Sequence, residues 1–331
     1  MSNRAWHLVA RPTGLPTMEN FALRELAREP LADGEVRVRN LWLSVDPYMR
    51  GRMNDAKSYA APFALGEPMQ GGAVGRVVES RAEGFAEGDL VLHMLGWREE
   101  AVAPAKAFTR LPAIDVGAEQ WLGNLGLTGA TAYFGLLDVA AAKPGETVFV
   151  SAAAGAVGSA VVQIAKAKGM TVIGSAGGAE KCAFVRELGA DAAIDYKAGR
   201  IDRLLAEAAP DGIDVYFDNV GGDHLDAALA AARLNARFAI CGMIEDYNSG
   251  SNHVFRYVTR IIAARIRIQG FLYFDFMDRM ADFHRDMTGW IASGAVRSRE
   301  TIHDGIESAP AAFLDLFSGG NIGKMLVRLP G

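Results

Sequence analysis

The chain has 331 residues, half of them hydrophobic, and a net charge of −5 at pH 7. That length can bury a large core and suffices for two domains, and the mild acidity argues against nucleic acid as a partner. No apolar run is long enough to span a bilayer, the start MSNRAWHLVARP lacks the apolar stretch of a signal peptide, and two cysteines, Cys182 and Cys241, cannot build a disulfide framework or a four-thiolate zinc site, so a reducing, cytoplasmic setting is expected.

Residues 1–119 read as a mainly β domain, a partly open barrel. Short strand-like runs such as Glu35 to Leu43, Ala73 to Glu79 and Asp89 to Leu92 are punctuated by Pro16, Pro30, Gly34, Pro62, Gly66, Gly84 and Gly88. From about Gln120 the composition changes, and Trp121 to Ala142 predicts two helices with Gly126 to Gly129 between them. Lys143-Pro144-Gly145-Glu146 is a turn. Strands and helices then alternate. Thr147 to Ser151, Met170 to Gly174, Ala192 to Asp195, Val215 to Asn219, Arg237 to Cys241 and Ile266 to Phe271 read as strands. Ser159 to Lys168, Glu180 to Leu188, Ile201 to Ala208 and Leu225 to Leu234 read as helices. Such alternation predicts a doubly wound parallel sheet over residues 120–296, with ligands outside the carboxyl ends of the strands. A helix over Phe276 to Ser293, one over Ala309 to Phe317 and a last strand, Lys324 to Leu329, complete the chain. Residues 297–331 are expected to return to the β domain.

Between the first two strands of the alternating region lies Ala153-Ala154-Gly155-Ala156-Val157-Gly158. Small residues let the backbone approach a pyrophosphate, and the following helix offers it unpaired N–H groups and a positive dipole end. Against the dinucleotide fingerprint, Ala153 replaces the first glycine, while Gly155 and Gly158 hold the other two places. The second strand runs out into Gly177-Gly178 without the carboxylate that binds a ribose 2′-hydroxyl, and Lys181 follows. That combination favours NADP(H). Lys181 also reads simply as part of a solvated first helical turn.

The order β domain, Rossmann domain, β tail resembles the medium-chain dehydrogenase/reductase superfamily. Val45 to Arg50 (VDPYMR), Leu127 to Leu136 (LTGATAYFGL), Ala152 to Gly158 (AAAGAVG), Phe217 to Gly222 (FDNVGG) and Asn321 to Lys324 (NIGK) are similar to its zinc-independent leukotriene B4 12-hydroxydehydrogenase / prostaglandin reductase / 2-alkenal reductase branch. The resemblance implies a GroES-like β domain beside the Rossmann domain. It also implies NADPH-dependent reduction of the carbon–carbon double bond of α,β-unsaturated aldehydes and ketones. By the same resemblance, Gly155, Ala156, Val157 and Gly158 match the pyrophosphate turn, and Lys181 and Tyr196 the 2′-phosphate site. Asn219 matches the asparagine ending the fourth strand; Cys241, Gly242, Met243, Ile244 and Tyr247 belong to the loop over the nicotinamide half; Phe271, Leu272 and Tyr273 match the segment along the nicotinamide, and Asn321 the tail asparagine. Gly177-Gly178-Ala179 departs from the Ser and Asp frequent in relatives, and Glu245-Asp246 makes its loop more acidic than the family pattern.

No metal is expected. A catalytic zinc needs three protein ligands around an open position, whereas residues 1–118 contain no cysteine, the stretch Met69 to Val74 has neither His nor Cys, and the six histidines are scattered. Hydrogen bonds must then polarise the substrate carbonyl as hydride reaches the β-carbon and an enolate develops. Tyr247 is the first candidate donor; holding a ribose is its alternative role. The α-carbon must then be protonated by solvent or a side chain; a tyrosine pKa near ~10 makes Tyr247 a weak acid for that step, and a ribose hydroxyl of the cofactor is the further option. Tyr48 is placed at the substrate mouth or, alternatively, as a turn aromatic packed below it. Arg50 reads as a carboxylate binder or a structural ion pair, and Tyr273 as a pocket wall. A quinone reductase and a non-catalytic NADPH-binding sensor or structural protein are the competing functions. A homodimer is expected by analogy with relatives.

Overall fold

The computed structural model describes residues 3–249 and 253–330. Asn3–Leu8 (β1) and Phe21–Leu26 (β2) come first, then Glu35–Ser44 (β3), a short helix Tyr48–Arg52 (α1), Ala73–Ser80 (β4), Leu90–His93 (β5), Glu100–Pro104 (β6) and Thr109–Arg110 (β7). Leu127–Phe134 (α2) leads into Thr147–Val150 (β8), Ala156–Ala167 (α3), Thr171–Ala176 (β9), Ala179–Glu187 (α4), Ala192–Asp195 (β10) and Ile201–Ala208 (α5). Ile213–Asp218 (β11), Gly222–Ala231 (α6), Ala232–Ile240 (β12), Asp246–Ser249 (α7), Arg260–Ala263 (α8), Arg267–Gly270 (β13) and Met280–Ala292 (α9) follow. Glu300–Asp304 (β14), Ala309–Ser318 (α10) and Lys324–Arg328 (β15) close the chain. The chain divides into two units: the described residues of Met1–Leu122, Glu300–Asn321 and Met325–Gly331, and those of Gly123–Arg299 with Ile322–Lys324.

In the first unit the long strand β3 is the spine. One edge carries β4; the other carries β6 along Glu35 to Arg39 and β15 along Trp42 to Ser44. Two register shifts in the β3–β4 ladder bend the sheet. Its core joins Trp6, Phe21, Met49, Trp97 and Phe313, with Phe21 stacked on Trp97 at 5.8 Å. β1 and β2 form a separate antiparallel pair.

The second unit holds a six-stranded parallel sheet in the order β10-β9-β8-β11-β12-β13. The chain starts at β8, runs outward to β10, and returns to lay β11 on the other side of β8. The topological switch point therefore lies between β8 and β11. β8 is Thr-Val-Phe-Val, and its last three residues are fully buried, which suits a strand covered on both faces. Phe149 stacks on Tyr216 at 5.1 Å, and Tyr216 meets Phe238 edge-on at 5.4 Å, so one aromatic seam runs across β8, β11 and β12.

Three helical expectations change. The helix expected over Leu225 to Leu234 closes at Ala231, and Ala232 to Leu234 already belong to β12. Gly129 lies inside α2 rather than between helices, because a Cβ there would fall 1.8 Å from the Asn124 carbonyl oxygen; the bare Cα lets the chain fold tightly onto α2. The helix expected over Phe276 to Ser293 begins only at Met280. Tyr273–Arg279 is instead a tight 3₁₀ segment broken at Phe276, whose ring stacks on Phe134 at 4.7 Å and holds it out of helical geometry.

Candidate active site

β8 ends at Val150, and the chain turns through Ser151 to Gly155 into α3. The left-handed residue of this turn is Ala152, with φ +47°, not Ala153. Ala153 is fully buried, donates to the Ser175 carbonyl at 2.8 Å, and packs where a Gly174 side chain would otherwise project. That explains how alanine can stand in the first fingerprint place: the position needs a small residue, not a positive φ. Gly158 is needed for a different reason, since a Cβ there would lie 2.3 Å from the Ala152 carbonyl oxygen. Gly155, the N-cap of α3, is open: a Cβ would meet only that same oxygen, at 3.2 Å. The start of a 12-residue helix, half-buried at Gly155 to Val157, fits a pyrophosphate. The tail braces this turn. Gly323 donates to the Ala154 carbonyl at 2.7 Å and Lys324 to that of Arg299 at 2.9 Å. Gly323, at φ +69°, has Arg299 oxygen where a Cβ would sit, so only glycine fits.

β9 runs into Gly177 and Gly178, and Lys181 lies half-buried in the first turn of α4. The Tyr196 hydroxyl lies 2.8 Å from where a Gly177 Cβ would be, so the phenol crosses the turn, while its ring meets His224 edge-on at 5.2 Å. Burial, then Asp195 and Glu245, push the Tyr196 pKa up. The sequence shows no carboxylate at the end of β9, but the sheet order places Asp195, at the end of β10, beside it. Asp195 Oδ1 accepts from the amides of Gly178 at 2.9 Å and Lys197 at 3.0 Å, and these bonds hold its pKa down. This acid shapes the turn. The Ser175 hydroxyl, at the same strand end, is buried without a partner among the described residues.

Across the switch point, Asn219 ties β11 to β8: its side-chain amide donates to the Ser151 carbonyl at 2.8 Å, and its backbone N–H to Ser151 Oγ at 2.9 Å. The turn after β11 is built on Asp218, fully buried. Its Oδ1 accepts from Tyr216 Oη at 2.7 Å, Ser151 Oγ at 3.2 Å, and the amides of Val220 at 2.9 Å and Gly221 at 2.8 Å. Burial raises the Asp218 pKa, and these donors oppose it. The loop after β12 hangs from the same place. Cys241 and Gly242 donate to the Asp218 carbonyl at 2.9 and 3.1 Å, and Ile244 to that of Asn219 at 3.3 Å. Met243 sits over Gly221, and the Tyr247 hydroxyl lies 3.1 Å from where a Gly242 Cβ would be. Tyr247 thus folds back over the strand end. Burial, with Asp218 nearby, pushes the Cys241 thiol up to about 12, which keeps it protonated and a poor nucleophile.

Phe271, Leu272 and Tyr273 follow β13 directly, with Phe271 edge-on to Phe217 at 6.2 Å. Hence every sequence-predicted cofactor residue from Gly155 to Tyr273 lies in the second unit, just beyond a strand's carboxyl end or in the first helical turn after it. Asn321 directly precedes the Ile322–Lys324 tail. Tyr48 and Arg50 belong to the first unit. Tyr48 packs partly against the core there. Arg50 is 3% exposed, donates to Asn54 Oδ1 at 2.6 Å and the Gly14 carbonyl at 2.8 Å, and so ties α1 to the 14 region. Sequence reasoning did not single out Asp218, Ser151, Asp195 or Gly323. Each sits inside a quoted motif or at a strand end, but only burial and pairing reveal its task.

Residues 4–111 match a family model described as the N-terminal domain of oxidoreductase, and residues 156–292 one described as zinc-binding dehydrogenase. The NADPH-dependent curcumin reductase of Escherichia coli is 42% identical over 336 residues, covering 99% of this chain and 97% of that protein. The chain belongs to the medium-chain dehydrogenase/reductase family. Within this family, the NADP(+)-dependent 2-alkenal reductase of Nicotiana tabacum is 41% identical, covering 99% and 98% of the two chains. The crystal structure of CurA from Vibrio vulnificus in complex with NADPH superposes with a TM-score of 0.95 at 43% identity, covering 99% of each chain. The second family description mentions zinc. Among the described residues of this medium-chain dehydrogenase/reductase, no group of three or more His, Cys, Asp or Glu is arranged to hold a metal ion.

Proposed function

We propose that this medium-chain dehydrogenase/reductase reduces the carbon–carbon double bond of α,β-unsaturated aldehydes and ketones with NADPH. The observation that carries this reading is a dinucleotide turn open at Gly155, in a chain 42% identical over nearly its whole length to an NADPH-dependent curcumin reductase. When bound, NADPH supplies the hydride that reaches the β-carbon. The chain's own residues bind and orient. Gly155, Ala156, Val157 and Gly158 receive the pyrophosphate at the α3 N-terminus. Lys181 and Tyr196 take the 2′-phosphate, a role helped because the nearby Asp195 is already engaged by two backbone amides. Cys241 to Ile244 are assigned to the loop over the nicotinamide half of the cofactor, Phe271 to Tyr273 to the segment along the nicotinamide, and Asn219 and Asn321 to the remainder. Tyr247 donates a hydrogen bond to the oxygen that becomes an enolate, or else holds a ribose. Tyr48, Arg50 and Tyr273 are substrate candidates by resemblance; the two hydrogen bonds of Arg50 within its own unit favour a structural task for it.

We further propose that the reaction runs without metal, since the donor set has no place for three ligands among the described residues. A homodimer and a cytoplasmic setting complete the proposal. The edge strand β13 is exposed at all four residues, with Ile268 among them and Ile262 83% exposed on the preceding helix. Such an edge invites pairing with a second copy. Both cysteines are free, as suits a reducing compartment. The test is NADPH oxidation by purified protein over a panel of enals, enones and quinones, with and without a chelator. Turnover of enals and enones, unchanged by chelator, is expected. Turnover of quinones alone, or NADPH binding with no oxidation by any acceptor, would overturn the reading.

A further inference from the structure

The motif Leu127 to Leu136 has no part in the chemistry above, yet its Gly135 is among the most closely approached glycines of the second unit. Gly135 is buried at the end of α2, where the helix widens into a π-helical turn, Gly135–Val139, closed by a bond from the Ala140 amide to the Gly135 carbonyl at 2.9 Å. Such turns often mark functional positions. A Cβ on Gly135 would lie 2.4 Å from Phe271 Cζ and 2.6 Å from Phe217 Cε2. The two rings are not equally able to yield. Phe217 is fully buried near the carboxyl end of β11, between β8 and β12, whereas Phe271 is half-buried just past the end of β13. Phe271 must therefore be the ring that moves.

Its flanks are held. On one side, the Arg267 guanidinium of β13 donates to the Val139 carbonyl of the π turn. On the other, Phe276 stacks on Phe134, with ring planes 6° apart, and Arg279 pairs with Asp138. The strand and the 3₁₀ segment cannot slide away together, so a displaced Phe271 ring drags Leu272 and Tyr273 with it. We propose that Gly135 is a positioning residue: its bare Cα admits the Phe271 ring and so sets the 271–273 segment beside the nicotinamide end of the cofactor. This rests on the assignment of that segment under Proposed function.

The test is NADPH affinity, by fluorescence titration, and thermal unfolding of wild type, Gly135→Ala, Phe271→Leu and the double variant, with NADPH KM and kcat measured on an enal. Overpacking of this kind is expected to weaken NADPH binding on the order of tenfold in Gly135→Ala. Leucine lacks the Cζ atom, which removes the closer contact and leaves the one with Phe217, so the same change should weaken NADPH binding by a clearly smaller factor in the Phe271→Leu background, a measurable non-additivity. Should Gly135→Ala fail to fold alone while the double variant folds and binds NADPH, the coupling is again supported. The proposal falls if Gly135→Ala lowers thermal stability yet leaves NADPH affinity unchanged, if it costs the same factor in both backgrounds, or if the double variant also fails to fold. Wild-type protein that does not bind NADPH would refute this inference and the cofactor reading together; wild-type binding with an unaffected Gly135→Ala refutes this inference alone.

Discussion

Asp218 offers a sharp test of how the carboxyl edge of the sheet is held. One oxygen, Oδ1, receives four donors: the Tyr216 and Ser151 hydroxyls and the amides of Val220 and Gly221. The other, Oδ2, is buried without a partner among the described residues. Asp218→Asn keeps an oxygen for all four donors and places its new NH₂ where Oδ2 lies, exchanging one unpartnered atom for another. Its cost should be about 1 kcal/mol, the scale of one neutral hydrogen bond. Asp218→Ala strands three donors, the Tyr216 hydroxyl and the amides of Val220 and Gly221, while Ser151 Oγ still reaches the Phe217 carbonyl at 3.4 Å. At about 1–3 kcal/mol for each one left unsatisfied, the loss is at least about 3 kcal/mol, a large part of the ~5–15 kcal/mol that a domain has. Urea unfolding followed by circular dichroism should show a modestly lowered midpoint for Asp218→Asn and a collapsed or molten second unit for Asp218→Ala. NADPH affinity should follow the same order, because Asn219 and the loop from Cys241 hang from this turn. An alanine variant as stable as the asparagine one would refute the claim that acceptor geometry, rather than charge, organises the turn.

Lys181→Ala should raise the NADPH KM by roughly 10–100-fold, the worth of a charge-assisted contact, and leave the NADH KM nearly unchanged; equal effects on both would remove Lys181 from the 2′-phosphate. A pH dependence follows from His224, which burial holds at about 4 against the opposing charge of Asp223. The unfolded chain protonates this histidine near ~6.5, so its full stability is present above that pH. It is lost as pH falls toward the folded value, because only the unfolded state gains the proton in between. At about 1.4 kcal/mol per tenfold, the loss attributable to His224 amounts to roughly 3 kcal/mol. Denaturant unfolding at neutral pH and near pH ~4.5 should therefore show a flatter pH profile for His224→Gln than for wild type, and parallel profiles would contradict the assignment.

Much of the second unit was legible in the order of residues. Ala192–Asp195 and Ile201–Ala208 form the very strand and helix that their apolar runs and flanking turns predict. In a parallel sheet covered on both faces, each strand is a continuous apolar run, and each helix repeats on its own period; both are local signals. The dinucleotide turn was legible for the same reason, since its small residues, its strand and its helix are contiguous. In the first unit, β1 and β2 escaped notice. NRAWHL and FALREL mix charged and apolar residues, and their strand character comes from pairing with each other.

Tertiary structure alone decided the rest. It placed Asp195 beside the end of a strand that precedes it by nearly twenty residues, because β10 pairs with β9. It made an ordinary Asp in VYFDN the buried acceptor for four donors, since burial and partner geometry are properties of the packed sheet. It moved the left-handed position to Ala152, which leaves Ala153 free to be alanine. It also turned Gly323 and Gly135 from unremarked small residues into ones with no room for a side chain, because the atoms that exclude a Cβ arrive from segments far away in the chain. Composition and periodicity speak for neighbours in sequence; these positions answer to neighbours in space.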